Sequence, residues 1–126
     1  MNVPVEYPPA KKDWGAPPYR WPENASSTAL SKSIVLPGGA LRLYGFTATS
    51  TNVAAQFILV FDARDVPANT TVPLFALNVA AASSAAAYFG SVGRSFDFGI
   101  VLCTSTTQGS LTLGAADTLF DVQYVY

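Results

Sequence analysis

The side chains able to do chemistry in this chain are few. Eight acidic and seven basic residues are spread over 126 positions, with no histidine and one cysteine, Cys103. Without histidine the commonest general base, nucleophile activator and transition-metal ligand is missing. A lone cysteine leaves a zinc site short of ligands. What remains is carboxylate chemistry, since two acids flanking a glycosidic bond suffice for a glycosidase. The candidates are Asp62 with Asp65, Asp97, and Asp117 with Asp121. Asp62 and Asp65 would also suit calcium, but oxygen ligands around them are too sparse. Each of these residues has an ordinary structural role as well. Asp62, Asp65 and Asp117 stand at turns, where aspartate bonds nearby backbone, and Asp97 and Asp121 take outward strand positions. No G-x-S-x-G, P-loop or G-x-G-x-x-G motif is present. The expectation is a protein that is not an enzyme and has no catalytic residue, metal or cofactor.

Exposed aromatic side chains offer a second kind of chemistry. Trp14, Tyr19 and Trp21 could stack on sugar rings, as in carbohydrate-binding modules, although such platforms are better supported by a rigid sheet than by a proline-rich segment. A net charge of -1 supplies no basic field for a phosphate backbone, which argues against nucleic acid as a partner. The chain is 50% hydrophobic and only 12% charged, a balance that favours an assembly in which partners cover part of the surface. Cys103 cannot form an internal disulfide and reads as a small buried hydrophobe. The N-terminus has no apolar secretory core and no run is long enough to cross a bilayer as a helix, so synthesis in the cytoplasm is expected. Asn24-Ala25-Ser26 and Asn69-Thr70-Thr71 match the glycosylation sequon without a secretory context to use it.

The elements that must position these residues fall into two parts. Residues 1–30 hold six of the nine prolines, both tryptophans, Tyr7 and Tyr19. That proline density prevents a helix or a central strand and predicts an extended arm and linker. Large aromatics on such a backbone bury much area at low entropic cost. Tyr7, Trp14, Tyr19 and Trp21 are therefore the expected partner contacts, with Lys11, Lys12 and Arg20 pairing with acidic surface at the rim.

Residues 31–126 read as one domain of seven or eight short strands separated by turn signals, an antiparallel β-sandwich of jelly-roll or immunoglobulin-like topology. Its centre is Ala40–Asp62, read as a hairpin. In the first strand Leu41 and Leu43 face one way, and Arg42, Tyr44 and Phe46 the other. The second, Phe57–Phe61, is apolar on both faces and must be covered on both. The second sheet is one candidate cover; the arm or a neighbouring subunit is the other. Ala80–Ala87 reads as a turn followed by a small-residue strand. Phe96, Phe98, Ile100 and Leu102 alternate with Asp97, Gly99, Val101 and Cys103; Leu111 and Leu113 mark a short strand; and Phe120, Val122, Tyr124 and Tyr126 share the face of the last one.

The run LYGFTATSTNVAAQFILVFDARDVPANTTVPLFALNV, followed by FDFGIVLCTSTT and the closing ADTLFDVQY, resembles small structural proteins encoded by tailed bacteriophages. The resemblance spans residues 40–126 and leaves out the arm. It implies a β-sandwich of the virion, either a capsid decoration or cement protein or a tail or fibre component, with no catalytic residues to carry over. The expected partners are the major capsid protein or neighbouring virion subunits. The expected assembly is a homo-oligomer with three-fold symmetry, and a carbohydrate-binding module is the alternative from another class.

Overall fold

The computed structural model describes residues 22–126. The expected contacts Tyr7, Lys11, Lys12, Trp14, Tyr19, Arg20 and Trp21 lie outside the described residues. Nine strands are present among the described residues: β1 (Glu23–Ser26), β2 (Ser33–Val35), β3 (Arg42–Ser50), β4 (Gln56–Asp62), β5 (Phe75–Val79), β6 (Ser84–Tyr88), β7 (Arg94–Ser95), β8 (Ile100–Ser105) and β9 (Thr118–Val125). They form two packed sheets with every pairing antiparallel. One runs β1-β9-β3-β6, with the two-residue β7 also on β3; the other runs β2-β8-β4-β5. The all-β sandwich expected from the turn spacing is therefore present. Its first strand, β1, comes from the stretch that the sequence reading assigns to the arm and linker.

Ala40–Asp62 is not a hairpin. β3 pairs with β9, β6 and β7, whereas β4 pairs with β8 and β5, so residues 51–55 cross from one sheet to the other. A two-residue turn favouring direct pairing would call for Asn-Gly or Asp-Gly, and Thr51-Asn52 is neither. Among the described residues only β4 and β5 are consecutive strands paired with each other. Nearly every other neighbour is distant in sequence.

Strand β3 also departs from simple alternation. Its register against β9 slips between Leu43 and Gly45, which marks a bulge. Leu43 and Phe46, expected on opposite faces, are consequently both buried in the core between the sheets, while Leu41 is exposed. Gly45 suits this position because a Cβ there would stand 2.8 Å from the Ala87 carbonyl oxygen. The core takes Phe46 and Ala48 from β3, Ile58 and Val60 from β4, Ile100 and Leu102 from β8, and Phe120, Val122 and Tyr124 from β9.

The opposite face of β4 is covered by the same chain. Leu59 and Phe61 pack with Val101, Cys103 and Leu111, and Phe57, Ala76 and Leu113 join them. Leu111 and Leu113 belong to a strap, residues 106–114, which lies over the outer face of the second sheet. Backbone bonds from Thr70 N to Leu111 O (2.7 Å) and from Leu111 N to Thr71 O (2.8 Å) tie the strap to the 63–74 loop. The Asn69 side-chain oxygen accepts from Leu113 N at 2.9 Å. Both faces of the apolar strand are thus covered by described residues of the same chain.

Candidate functional site

The carboxylates singled out by type and spacing go to separate places. Asp62 ends β4 and turns its side chain to the bend before β8. There Oδ2 accepts from Asp97 N at 3.0 Å, and Oδ1 accepts from Phe98 N at 2.8 Å and Gly99 N at 3.3 Å. Partial burial raises the Asp62 pKa, but these three N–H bonds outweigh it and leave the carboxyl below its ordinary value. Gly99 is required at the bend: a Cβ there would lie 2.5 Å from the Ala63 carbonyl oxygen. The bend breaks the alternation expected from Phe96 to Leu102. Phe96 is buried, Phe98 is exposed, and the strand begins only at Ile100. Asp65 is exposed on the following loop.

Asp117 is built into the corner where β3 crosses to β4. Its Oδ1 accepts from Gln56 Nε2 (3.1 Å) and Thr118 Oγ1 (2.9 Å), and its Oδ2 from Asn52 Nδ2 (2.8 Å). Gln56 Nε2 also reaches Ser50 Oγ and Thr118 Oγ1, at 2.9 and 2.8 Å. Gln56 is 1% exposed and its Oε1 has no hydrogen-bond partner among the described residues. Gln56 is not among the residues that type or spacing singles out. The available signal was its place in QFILVF, where alternation puts it on the same face as Ile58 and Val60.

Asp121 sits apart from Asp117, on the outer face of the first sheet. It accepts from Ser26 Oγ at 2.7 Å and from Gln123 Nε2 at 3.2 Å. The Ser26 bond is the chief reason its carboxyl lies below the ordinary range. Gln123 Nε2 also donates to Asn24 Oδ1 at 2.9 Å, and Asn24 Nδ2 to Ser26 Oγ at 3.1 Å. Asp62, Asp117 and Asp121 therefore serve three different hydrogen-bond networks. The described residues contain no group of three or more His, Cys, Asp or Glu side chains placed to hold a metal.

No family model, curated protein or solved structure matches the chain.

Two features remain beside these networks. Phe61, Asp62, Ala63, Pro67, Thr71, Val72 and Leu74 line a recess of about 200 Å³, smaller than an ordinary small-molecule site, and the Asp62 oxygens there are already committed to backbone. Cys103 is fully buried under the strap, and burial pushes its thiol up to about 12, so it stays a protonated packing group. No helix among the described residues is long and apolar enough to cross a membrane.

Proposed function

We propose that this protein is a non-enzymatic structural component of a tailed-bacteriophage virion, a capsid decoration or cement protein. The observation that carries the reading is the strand order. We read the two four-stranded paths, β1-β9-β3-β6 and β2-β8-β4-β5, as a jelly roll, an architecture used by viral capsid and lectin domains. Fold alone does not assign function. The resemblance of the sequence of residues 40–126 to small phage structural proteins is the other support for the reading.

In this reading the sandwich is a self-sufficient block. Both faces of β4 are covered within one chain, so no partner is needed to complete its core. The arm precedes β1, an edge strand of the first sheet, and in this reading it is the part that engages the major capsid protein or a neighbouring subunit. Tyr7, Trp14, Tyr19 and Trp21 are the anchors, and Lys11, Lys12 and Arg20 the rim. Many copies, arranged as trimers, would each add a buried aromatic contact and together resist the outward pressure of a packaged genome.

Immunogold electron microscopy of virions released by cells that carry the gene tests the placement. Gold on the head surface is expected; gold confined to the tail transfers the protein to the tail or fibre class, and unlabelled particles overturn the reading. Replacing Trp14 and Trp21 by Ala should weaken rebinding to particles about thirtyfold or more, as loss of an aromatic hot spot does.

A further inference from the structure

The two sheets differ on their outer faces. The strap covers the second sheet, whereas no described segment lies over the first. Strand alternation sets which side chains that face presents. Ala25, Phe46, Ala48, Ala85, Ala87, Phe120 and Val122 pack inward, so their strand neighbours point out. Register then arranges the outward residues in rows across the sheet. One row is Asn24, Gln123, Gly45 and Tyr88; the next begins with Ser26 and Asp121 and continues to Thr47.

The first of these rows has an unusual profile. Tyr88 is 80% exposed, the most exposed aromatic ring among the described residues. Its Cδ1 lies 3.5 Å from where a Cβ of Gly45 would stand, so the ring leans toward β3 over a residue without a side chain. On the far side of Gly45, Asn24, Ser26, Asp121 and Gln123 are held by mutual hydrogen bonds of 2.7–3.2 Å. Tyr88 and Gln123 are two strands apart, which at ordinary strand spacing is about 10 Å between Cα atoms. One sugar ring laid on the Tyr88 ring would span that distance and reach Gln123.

The chemistry of the face selects its occupant. An ionised carboxylate, Asp121, stands in the array, and among the described residues Arg42 of the neighbouring β3 spends its guanidinium on the Val92 carbonyl at 3.0 Å. Anionic ligands such as nucleic acids and acidic lipid headgroups are therefore disfavoured. Tyr88 is the only large apolar side chain in the two rows, too little for the buried core of a protein interface. A ligand with an apolar ring face and a periphery of hydroxyl groups fits what remains. The ring face would lie on Tyr88, while hydroxyls would donate to Asp121 and Gln123 Oε1 and accept from Asn24.

We propose that the outer face of the first sheet is a binding site for neutral glycans, with Tyr88 as stacking platform and Asn24, Asp121 and Gln123 as hydroxyl readers. The site is carried by strands, which hold such a constellation more firmly than a loop or arm. It does not depend on where the protein resides, so its success or failure leaves the virion reading untouched.

The test is a printed array of neutral and acidic oligosaccharides probed with the labelled full-length chain and three variants. Wild type should bind neutral members. Tyr88→Ala and Gln123→Ala should each weaken binding at least tenfold, and Trp14→Ala with Trp21→Ala should leave it unchanged. Circular dichroism checks the fold of each variant, and Gln123→Ala carries the comparison if Tyr88→Ala does not fold. Absence of binding, binding to acidic members alone, or loss that follows the tryptophans while surviving Tyr88→Ala overturns the proposal.

Discussion

Asp62 is the residue whose role differs most from what its type suggested. As one of a pair with Asp65 it was a candidate acid or calcium ligand; in the fold it is an acceptor for three consecutive backbone N–H groups. Asp62→Ala leaves those donors without a protein partner, a cost of about 1 kcal/mol where water can still reach them. Asp62→Asn retains the shape and loses the charge. Because the carboxyl is held below its ordinary value, its stabilisation is present above the unfolded-state pKa and is lost as pH falls through the folded-state value. The melting-temperature gap between wild type and Asp62→Asn should therefore be largest near neutral pH and close as pH drops below the ordinary aspartate range. A gap that stays constant from neutral to strongly acidic pH would show that the charge contributes nothing.

At the scale of elements the strap decides how the apolar strand is covered. Leu111 is 1% exposed and caps the cluster of Leu59, Phe61, Val101 and Cys103. Truncating it to Ala should cost about 2–5 kcal/mol, the usual range for a buried leucine. The same variant should open a path to Cys103, whose thiol burial holds at about 12. Wild type is expected to resist a thiol reagent at mildly alkaline pH and Leu111→Ala to react. An unreactive variant would mean that something other than the strap shields the sulfur. Thr70 joins this arrangement at a cost: it has a positive φ of 78°, uncommon for a β-branched side chain, and in that conformation its N–H meets Leu111 O.

For the whole molecule, the boundary of the sandwich lies earlier than composition indicated. β1 pairs with β9 over Glu23–Ser26, Ala25 packs against the core, and Ser27 exchanges bonds with Phe120, its N–H donating to the Phe120 carbonyl (2.9 Å) and its Oγ accepting from the Phe120 N–H (3.1 Å). A chain lacking residues 1–27 should be less stable than one lacking 1–21 by about 2 kcal/mol or more, from lost ladder bonds and lost burial. Equal denaturant midpoints for the two truncations would make β1 dispensable. The all-β class and the shared inward face of Phe120, Val122 and Tyr124 were legible because period-two alternation and turn residues are local properties of the sequence, whereas seven or eight strands were expected and nine are present among the described residues, β1 having been read as linker. The two-sided burial of Phe57–Phe61 was legible too, as a requirement. What satisfied it was not. The strap reaches β4 through contacts between residues about fifty positions apart, and a run of Leu and Thr carries no mark of the surface it will cover. Nor could local pattern reveal that β3 and β4 lie in opposite sheets, since alternation specifies a face and not a partner. The bulge at Leu43–Gly45 follows from pairing with β9, and the outer face that brings Tyr88 beside Asn24, Asp121 and Gln123 exists only once four distant strands stand in register. The sequence by itself determined which residues had to be buried; the tertiary structure decided against what, because partner and register are set by contacts summed over the whole chain.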